Sequence, residues 1–173
     1  MKVLVTYFSQ TGNTEAIAKA IQDEAATAHD VQSKNIEEVQ PESCQDYDIV
    51  FIGSPIHASN LAGPVTSFMN SLQQSPNFKV VGFVTHGSPC FETTSFQNGL
   101  TTFETITKEK GIDLRGCFEC QGRLASALHD MVKQARGLSD EQFSEMMAEA
   151  DKHPGPDDEQ KAKEFTRNIL SGT

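Results

Sequence analysis

Short runs of apolar and β-branched residues recur along the chain, separated by segments with a different periodicity. The continuous runs are typical of parallel strands that are buried on both faces. They predict strands at residues 3–8, 31–36, 48–53, 79–85 and 112–120, of which the second has the weakest pattern. The other segments predict helices, from apolar residues at i, i+3 and i+4 or from capping signals, at residues 15–28, 64–72, 96–110, 125–135, 140–150 and 159–170.

Strands that alternate with helices imply an α/β fold, in which a parallel sheet is built with right-handed crossovers. In such sheets a ligand binds outside the carboxyl ends of the strands, at the point where the strand order reverses. We therefore expect the loops after the first, third and fourth strands to form the functional site.

Capping signals mark several of the predicted helix ends. Gly111 stands where a C-cap glycine would close the helix at residues 96–110. Ser139 and Gln142 have the spacing of a capping box, and Asp157 or Asp158 is expected to cap the last helix. Residues 121–156 are then a helical insertion after the fifth strand, within a single domain that spans residues 1–173.

Length and charge narrow the class of protein. A chain of 173 residues is long enough for one α/β domain with a substantial core. The net charge of −10 argues against nucleic acid as a partner and suits docking on a basic protein surface.

The N-terminal apolar run is too short for a signal peptide, and no later apolar stretch approaches the roughly 20 residues that cross a bilayer. We expect a cytoplasmic protein without a membrane partner.

A turn rich in hydroxyl groups follows the first predicted strand directly. It comprises Ser9, Gln10, Thr11, Gly12, Asn13 and Thr14. The serine and both threonines offer hydroxyl donors, the asparagine offers an amide, and the glycine lets the backbone approach an anion closely. Backbone N–H groups at the start of the helix point to the same place, along the positive end of the helix dipole. No Lys or Arg lies in this turn, so the pattern predicts a phosphate site built on neutral donors.

This S-Q-T-G-N-T stretch resembles the FMN phosphate loop of flavodoxins. It lacks the Gly-Lys-Ser/Thr of a Walker loop and the repeated glycines of a Rossmann fingerprint. The order of the elements and the loops after the third and fourth strands support the resemblance. It implies a flavodoxin-like three-layer α/β fold with a five-stranded parallel sheet in the order 2-1-3-4-5. It also implies one noncovalently bound FMN, and it designates no catalytic residue.

By this resemblance, two further loops should hold the isoalloxazine ring of the flavin. The residues of the second loop that would lie along the ring are Ser54, Pro55, Ile56 and His57. The third loop would reach the ring with its backbone and side chains, contributed by Thr85, His86, Gly87, Ser88, Cys90 and Phe91.

The aromatic residues depart from the flavodoxin pattern. Flavodoxins usually stack a Trp or Tyr on each ring face, but this chain has no Trp and both of its Tyr residues lie elsewhere. The aromatic candidates that remain are His57, Phe91 and His86. For His57, a solvated loop histidine is as good an interpretation as contact with the ring. For Phe91, packing in the core or in a lid is as good an interpretation as contact with the ring. Close aromatic packing disfavours the anionic reduced flavin, so a less aromatic site should raise the semiquinone/hydroquinone potential relative to a flavin between Trp and Tyr. Such a site would also leave one ring face open to a substrate.

Cys117 and Cys120 have the C-x-x-C spacing of a thiol redox motif. Such motifs function at a helix N-terminus, where the thiolate is stabilised. This pair falls at the end of a predicted strand, which favours small residues in a strand over a redox site. The chain has 4 cysteines, too few and too irregularly spaced for a secreted disulfide framework.

Two functions are compatible with these features. The first is an electron carrier between redox partner proteins, such as a reductase or a ferredoxin-like donor and acceptor, and the acidic charge favours it. The second is an FMN-dependent reductase of quinones or nitro compounds that uses NAD(P)H, and the missing Trp/Tyr sandwich favours it. A flavodoxin-like domain that has lost its flavin is disfavoured, because the phosphate loop is complete.

Overall fold

Six strands form the centre of the molecule in the computed structural model, which describes residues 1–172. In chain order they are β1 (Lys2–Tyr7), β2 (Asp30–Asn35), β3 (Ile49–His57), β4 (Asn60–Leu61), β5 (Lys79–His86) and β6 (Asp113–Gln121). The long strands pair in parallel in the order β2-β1-β3-β5-β6. This confirms the predicted five-strand order. The two-residue β4, which pairs antiparallel with the end of β3, had no signal in the sequence.

Helices cover the sheet and extend beyond it. In chain order they are α1 (Asn13–Ala25), α2 (Gly63–Ser71), α3 (Ser88–Phe91), α4 (Gln97–Lys110), α5 (His129–Arg136), α6 (Asp140–Ala150) and α7 (Pro156–Ser171). Short 3-10 turns occur at Ile36–Glu38, Pro41–Asp46 and Ser126–Leu128. Across residues 1–172, no helix has both the length and the apolar character that crossing a bilayer requires.

The sheet is buried on both faces by the helices that pack on it. Successive residues of a strand point to opposite faces, so each strand contributes side chains to both cores. Val3 packs with Ile17 of α1 and Ala162 of α7 on one face. Its neighbour Leu4 packs on the other face, with Phe103 of α4 and with residues of α2. The result is the expected arrangement of helix, sheet and helix in three layers.

β3 runs further than the sequence predicted. The expectation was that Gly53, Ser54 and Pro55 would end it, since these residue types favour turns. Instead the backbone stays in register with β5 as far as Pro55, and the last two residues then pair with β4. Pairing with neighbouring strands therefore outweighs the local turn tendency.

The predicted caps at Gly111 and Ser139 are confirmed. Gly111 closes α4 with a φ of +66°, and Ser139 exchanges capping-box hydrogen bonds with Gln142. The start of the last helix differs from the prediction, because Gly155 and not an aspartate occupies the N-cap position.

Asp158 acts from inside the first turn of α7. Its Oδ2 accepts the backbone N–H of Gly155 at 2.9 Å and lies 2.7 Å from Nδ1 of His153. The residue is buried, with 6% of its surface exposed. These contacts tie the end of the insertion to the beginning of α7.

A third apolar cluster holds the insertion against the loop after β5. Cys90 of α3 packs there with Val132 of α5 and Met147 of α6. Arg136 adds polar contacts, since its Nη1 donates to the carbonyl oxygen of Cys90 at 3.1 Å and its Nη2 pairs with Glu92. The insertion and the loop after β5 are therefore one packed unit.

We expect Asp158→Asn to lower the free energy of unfolding by about 1–2 kcal/mol, because one amide oxygen replaces a carboxylate that serves two donors. Urea denaturation followed by circular dichroism measures the change. Asp157→Asn, at an exposed position in the same turn, is the matched control and should stay within about 0.5 kcal/mol of the parent protein. Equal losses in both variants would assign the effect to helix-dipole charge and not to the buried contacts.

Candidate functional site

A cleft of about 130 Å³ opens where β1, β3 and β5 end. Most of the residues predicted for the site line it. They are Ser9, Gln10, Thr11, Asn13, Thr14, Pro55, Ile56, His57, Thr85, His86, Gly87 and Phe91. The three loops that were expected to meet at the carboxyl edge of the sheet therefore do meet there.

A few predicted residues do not line the cleft. They are Gly12, Ser54, Ser88 and Cys90. The Ser54 side chain is fully buried, where its Oγ donates to the carbonyl of Pro55 at 2.8 Å and accepts the N–H of Ala62 at 2.9 Å. Its hydroxyl thus connects β3 to the start of α2 and does not face the cleft. Cys90 is likewise turned into the third apolar cluster.

The turn before α1 presents hydrogen-bond donors to the cleft. Gly12 has a φ of +83°, a left-handed conformation that favours glycine. Its N–H donates to Ser9 Oγ at 3.2 Å, and its carbonyl accepts the first helical bond from Ala16 at 3.0 Å. The N–H groups of residues 13–15 precede that bond, so they have no acceptor within the helix. Together with the hydroxyls of Ser9 and Thr11, they form a donor set at the positive end of the helix dipole.

A buried hydroxyl pair links this turn to β5. Thr14 Oγ1 and Thr85 Oγ1 lie 2.9 Å apart, and both residues are almost fully buried. Each hydroxyl has one proton, and only one proton can lie between the two oxygens. The second proton is therefore available to an acceptor beside the pair, such as an anion in the cleft.

The segment after β6 is clamped against the start of α1. Asn13 Nδ2 donates to the carbonyl oxygen of Arg123 at 2.9 Å, and the N–H of Gly122 donates to the carbonyl oxygen of His86 at 2.9 Å. A Cβ atom at Gly122 would come within 2.7 Å of Asn13 Nδ2. Glycine is therefore required for this close approach.

The clamped segment forms a wall of the cleft that the sequence analysis missed. Its lining residues are Arg123, Leu124, Ala125 and Leu128. They directly follow the last parallel strand, so the rule that predicted the other loops could have indicated them too. In the sequence they fall within the helical insertion, whose relation to the site has no signal of its own.

His86 packs within its loop. Its ring stacks on Phe96, with the ring centroids 4.0 Å apart and the planes 3° from parallel. Nδ1 accepts the N–H of Ser88 at 3.3 Å, so Nε2 is the ring nitrogen that donates to the Glu119 carboxylate, at 2.7 Å. That hydrogen bond lowers the pKa of Glu119. His86 thus joins the third loop to β6 and has one ring face covered by Phe96.

The other two aromatic candidates are more accessible. His57 is exposed and meets Phe8 edge-on, with ring centroids 6.4 Å apart. Phe91 also lines the cleft and is 37% exposed. Contact of either residue with a flavin ring stays a prediction.

The two cysteines of the C-x-x-C motif lie on opposite faces of β6. Cys117 packs against the core that contains Leu4, whereas Cys120 packs in the core that contains Val3. Burial raises the pKa of Cys117 to about 11 and also raises the pKa of Cys120. Thiols on opposite faces cannot form a disulfide with each other, and burial disfavours the reactive thiolate. The structure supports the interpretation as small residues of a strand.

Comparison with known proteins gives a consistent match. The chain matches the family model of the flavodoxin domain over residues 4–167. An uncharacterized protein of Methanocaldococcus jannaschii is 32% identical over 171 residues, which cover 98% of this chain and 99% of the relative.

Among solved structures, oxidised flavodoxin 2 from Bacillus cereus aligns over 100% of both chains with a TM-score of 0.71 and 21% identity. Fusobacterium nucleatum flavodoxin bound to flavin mononucleotide aligns over 99% of this chain and 98% of its own, with a TM-score of 0.65 and 11% identity. At these identities the two structures establish a common fold.

We expect Gly122→Ala to lower the free energy of unfolding by about 1–3 kcal/mol, because the added methyl group must displace the side chain of Asn13. Thermal unfolding measures the loss. Gly63→Ala is the control, since a Cβ there meets nothing within 4 Å, and it should be neutral or slightly stabilising. A Gly122→Ala protein as stable as the Gly63→Ala protein would rule out the clamp.

Proposed function

This chain belongs to the flavodoxin domain family, and from that premise we propose that it binds one FMN noncovalently and carries electrons between redox proteins. The observation that carries the proposal is the set of neutral donors at residues 9–14, at the N-terminus of α1 and beside the cleft. When bound, FMN supplies the electron-transfer chemistry, while the protein supplies position and polarity.

The donor set suits a phosphate monoester. Phosphate oxygens need donors, and the hydroxyls of Ser9 and Thr11 and the N–H groups of residues 13–15 can supply them. The free proton of the Thr14–Thr85 pair is a further donor. Among the described residues that line the cleft there is no Asp or Glu, so no lining carboxylate opposes the anion.

The remaining walls suit a flat ring with apolar faces and a polar edge. Pro55 and Ile56 lie on the β3 side, and Leu124 and Leu128 lie on the side of the segment after β6. The backbone near Gly87 provides polar groups on the β5 side. We propose that these walls orient the ring, and that the exposed Phe91 covers part of it.

Charge favours a carrier over a reductase that uses NAD(P)H. A net charge of −10 steers the chain towards basic protein surfaces and raises the rate of encounter with them. The partners proposed are therefore redox proteins, such as a reductase or a ferredoxin-like donor and acceptor.

Loss of a single hydroxyl tests the phosphate assignment. We expect Thr11→Val to weaken FMN binding about tenfold and to leave riboflavin binding unchanged, because the lost donor faces only the phosphate. Quenching of flavin fluorescence measures both affinities. Thr105→Val removes an exposed hydroxyl in the middle of α4 and should change neither.

Two outcomes contradict this assignment in different ways. A protein that is colourless when purified and takes up no FMN on titration would overturn the FMN proposal as a whole. Equal weakening of FMN and riboflavin binding by Thr11→Val would contradict the assignment of the phosphate to residues 9–14, while the proposal that the protein binds a flavin would still hold.

The carrier role is tested by comparing two electron routes in the FMN-loaded protein. We expect oxidation of NADH or NADPH, with a quinone present, to proceed no faster than with free FMN. Chemically reduced protein should instead pass electrons to a basic haem protein, at a rate that falls as salt is added, because screening removes the steering. Saturable NAD(P)H oxidation would favour the reductase.

A further inference from the structure

Arg123 stands directly beside the turn that precedes α1. Its carbonyl oxygen accepts a hydrogen bond from Asn13 Nδ2 at 2.9 Å, which fixes its backbone next to the first residue of the helix. The residue lines the same cleft as Ser9 and Thr11. The clamp therefore sets the position of its backbone.

The charge of Arg123 is not neutralised within the part of the chain that the structure describes. Each of the other arginines pairs with a carboxylate: Arg115 with Asp113, Arg136 with Glu92, and Arg167 with Glu24. Arg123 is exposed and has no ion pair among residues 1–172. Of the described residues that line the cleft, it is also the one Arg or Lys.

A phosphate monoester carries a charge of about −1.5 to −2 at pH 7. The chain as a whole carries −10, so its average field repels such a ligand. At physiological salt, however, charges more than roughly 8–10 Å apart are largely screened, and the groups nearest the anion decide its energy. Near residues 9–14, the positive groups are the N-terminus of α1 and Arg123. The carboxylate of Glu15 lies in the same first turn of α1, where it accepts the hydroxyl of Tyr7 at 3.2 Å, and it does not line the cleft.

We propose that Arg123 is the countercharge of the phosphate group of FMN, and that it makes this cleft select the phosphorylated flavin over riboflavin. This inference rests on the FMN site proposed above. Residues 9–14 supply neutral donors that set the geometry of the phosphate, whereas Arg123 supplies a full charge from the segment after β6. A guanidinium suits this task, because its planar fork can donate two parallel hydrogen bonds to phosphate oxygens.

Because the side chain is exposed, its contribution must depend on ionic strength. FMN affinity in the parent protein should fall as salt is added, and riboflavin affinity should not, since riboflavin has no phosphate. If the arginine were merely solvated, repulsion by the net charge of −10 would dominate, and FMN affinity would not fall as salt is added.

The experiment measures the affinities of FMN and riboflavin by fluorescence quenching at low and high salt, in the full chain freed of flavin. We expect Arg123→Gln to weaken FMN binding about fivefold to tenfold at low salt, with riboflavin unchanged and the difference shrinking at high salt. Arg123→Lys keeps the charge and should recover most of the FMN affinity. Lys108→Gln removes one positive charge from the last turn of α4, at the opposite edge of the sheet, and should have no effect on the selectivity.

The outcomes separate this inference from the FMN proposal. If the parent protein binds both flavins and Arg123→Gln leaves their affinity ratio and its salt dependence unchanged, the countercharge role is overturned while FMN binding stands. Equal weakening of both flavins by Arg123→Gln also overturns it, because the residue would then act on the ring or on the fold. If the parent protein binds neither flavin, the FMN proposal itself fails.

Discussion

Burial of a parallel sheet on both faces is the constraint on which the rest of this molecule depends. Parallel neighbours cannot be joined by a tight turn, so each connection must cross the sheet, usually as a helix. The crossing helices cover the apolar faces represented by Val3 and Leu4. The same connectivity brings every loop that follows a parallel strand to one edge. Residues as distant in sequence as Thr14 and Thr85 can therefore share a hydrogen bond there.

The features that were predictable from the sequence depend on local pattern. Continuous apolar runs identify buried parallel strands, and the carboxyl-edge rule then locates the cleft. The features that were missed depend on contacts between distant segments. The sequence predicts that Ser54 lies in a loop beside the cleft, whereas it lies in β3, and its contact with Ala62 shows that it faces the core. Arg123 lies in an insertion, and only the hydrogen bond from Asn13 reveals that the insertion begins as a wall of the cleft.

The insertion is therefore more than a packing element. Its first residues complete the cleft, and its helices form a small core with Cys90 on α3. Arg136 strengthens the connection by donating to the carbonyl oxygen of Cys90. The loop after β5, which flavodoxin resemblance assigns to the flavin ring, is consequently supported from both sides, by His86 and its contact with Glu119 and by the insertion. Such support limits how far the loop can rearrange.

The Thr14–Thr85 hydroxyl pair also constrains how this sequence can evolve. Loss of one hydroxyl leaves the other buried without its partner, which is costly, whereas replacing both by apolar groups of the same shape is close to neutral for stability. The two positions therefore form an epistatic pair, in which the effect of the second substitution depends on the first. A lineage that exchanges the two hydroxyls for apolar groups one at a time must pass through a less stable intermediate sequence, so the pair acts as a barrier to that exchange.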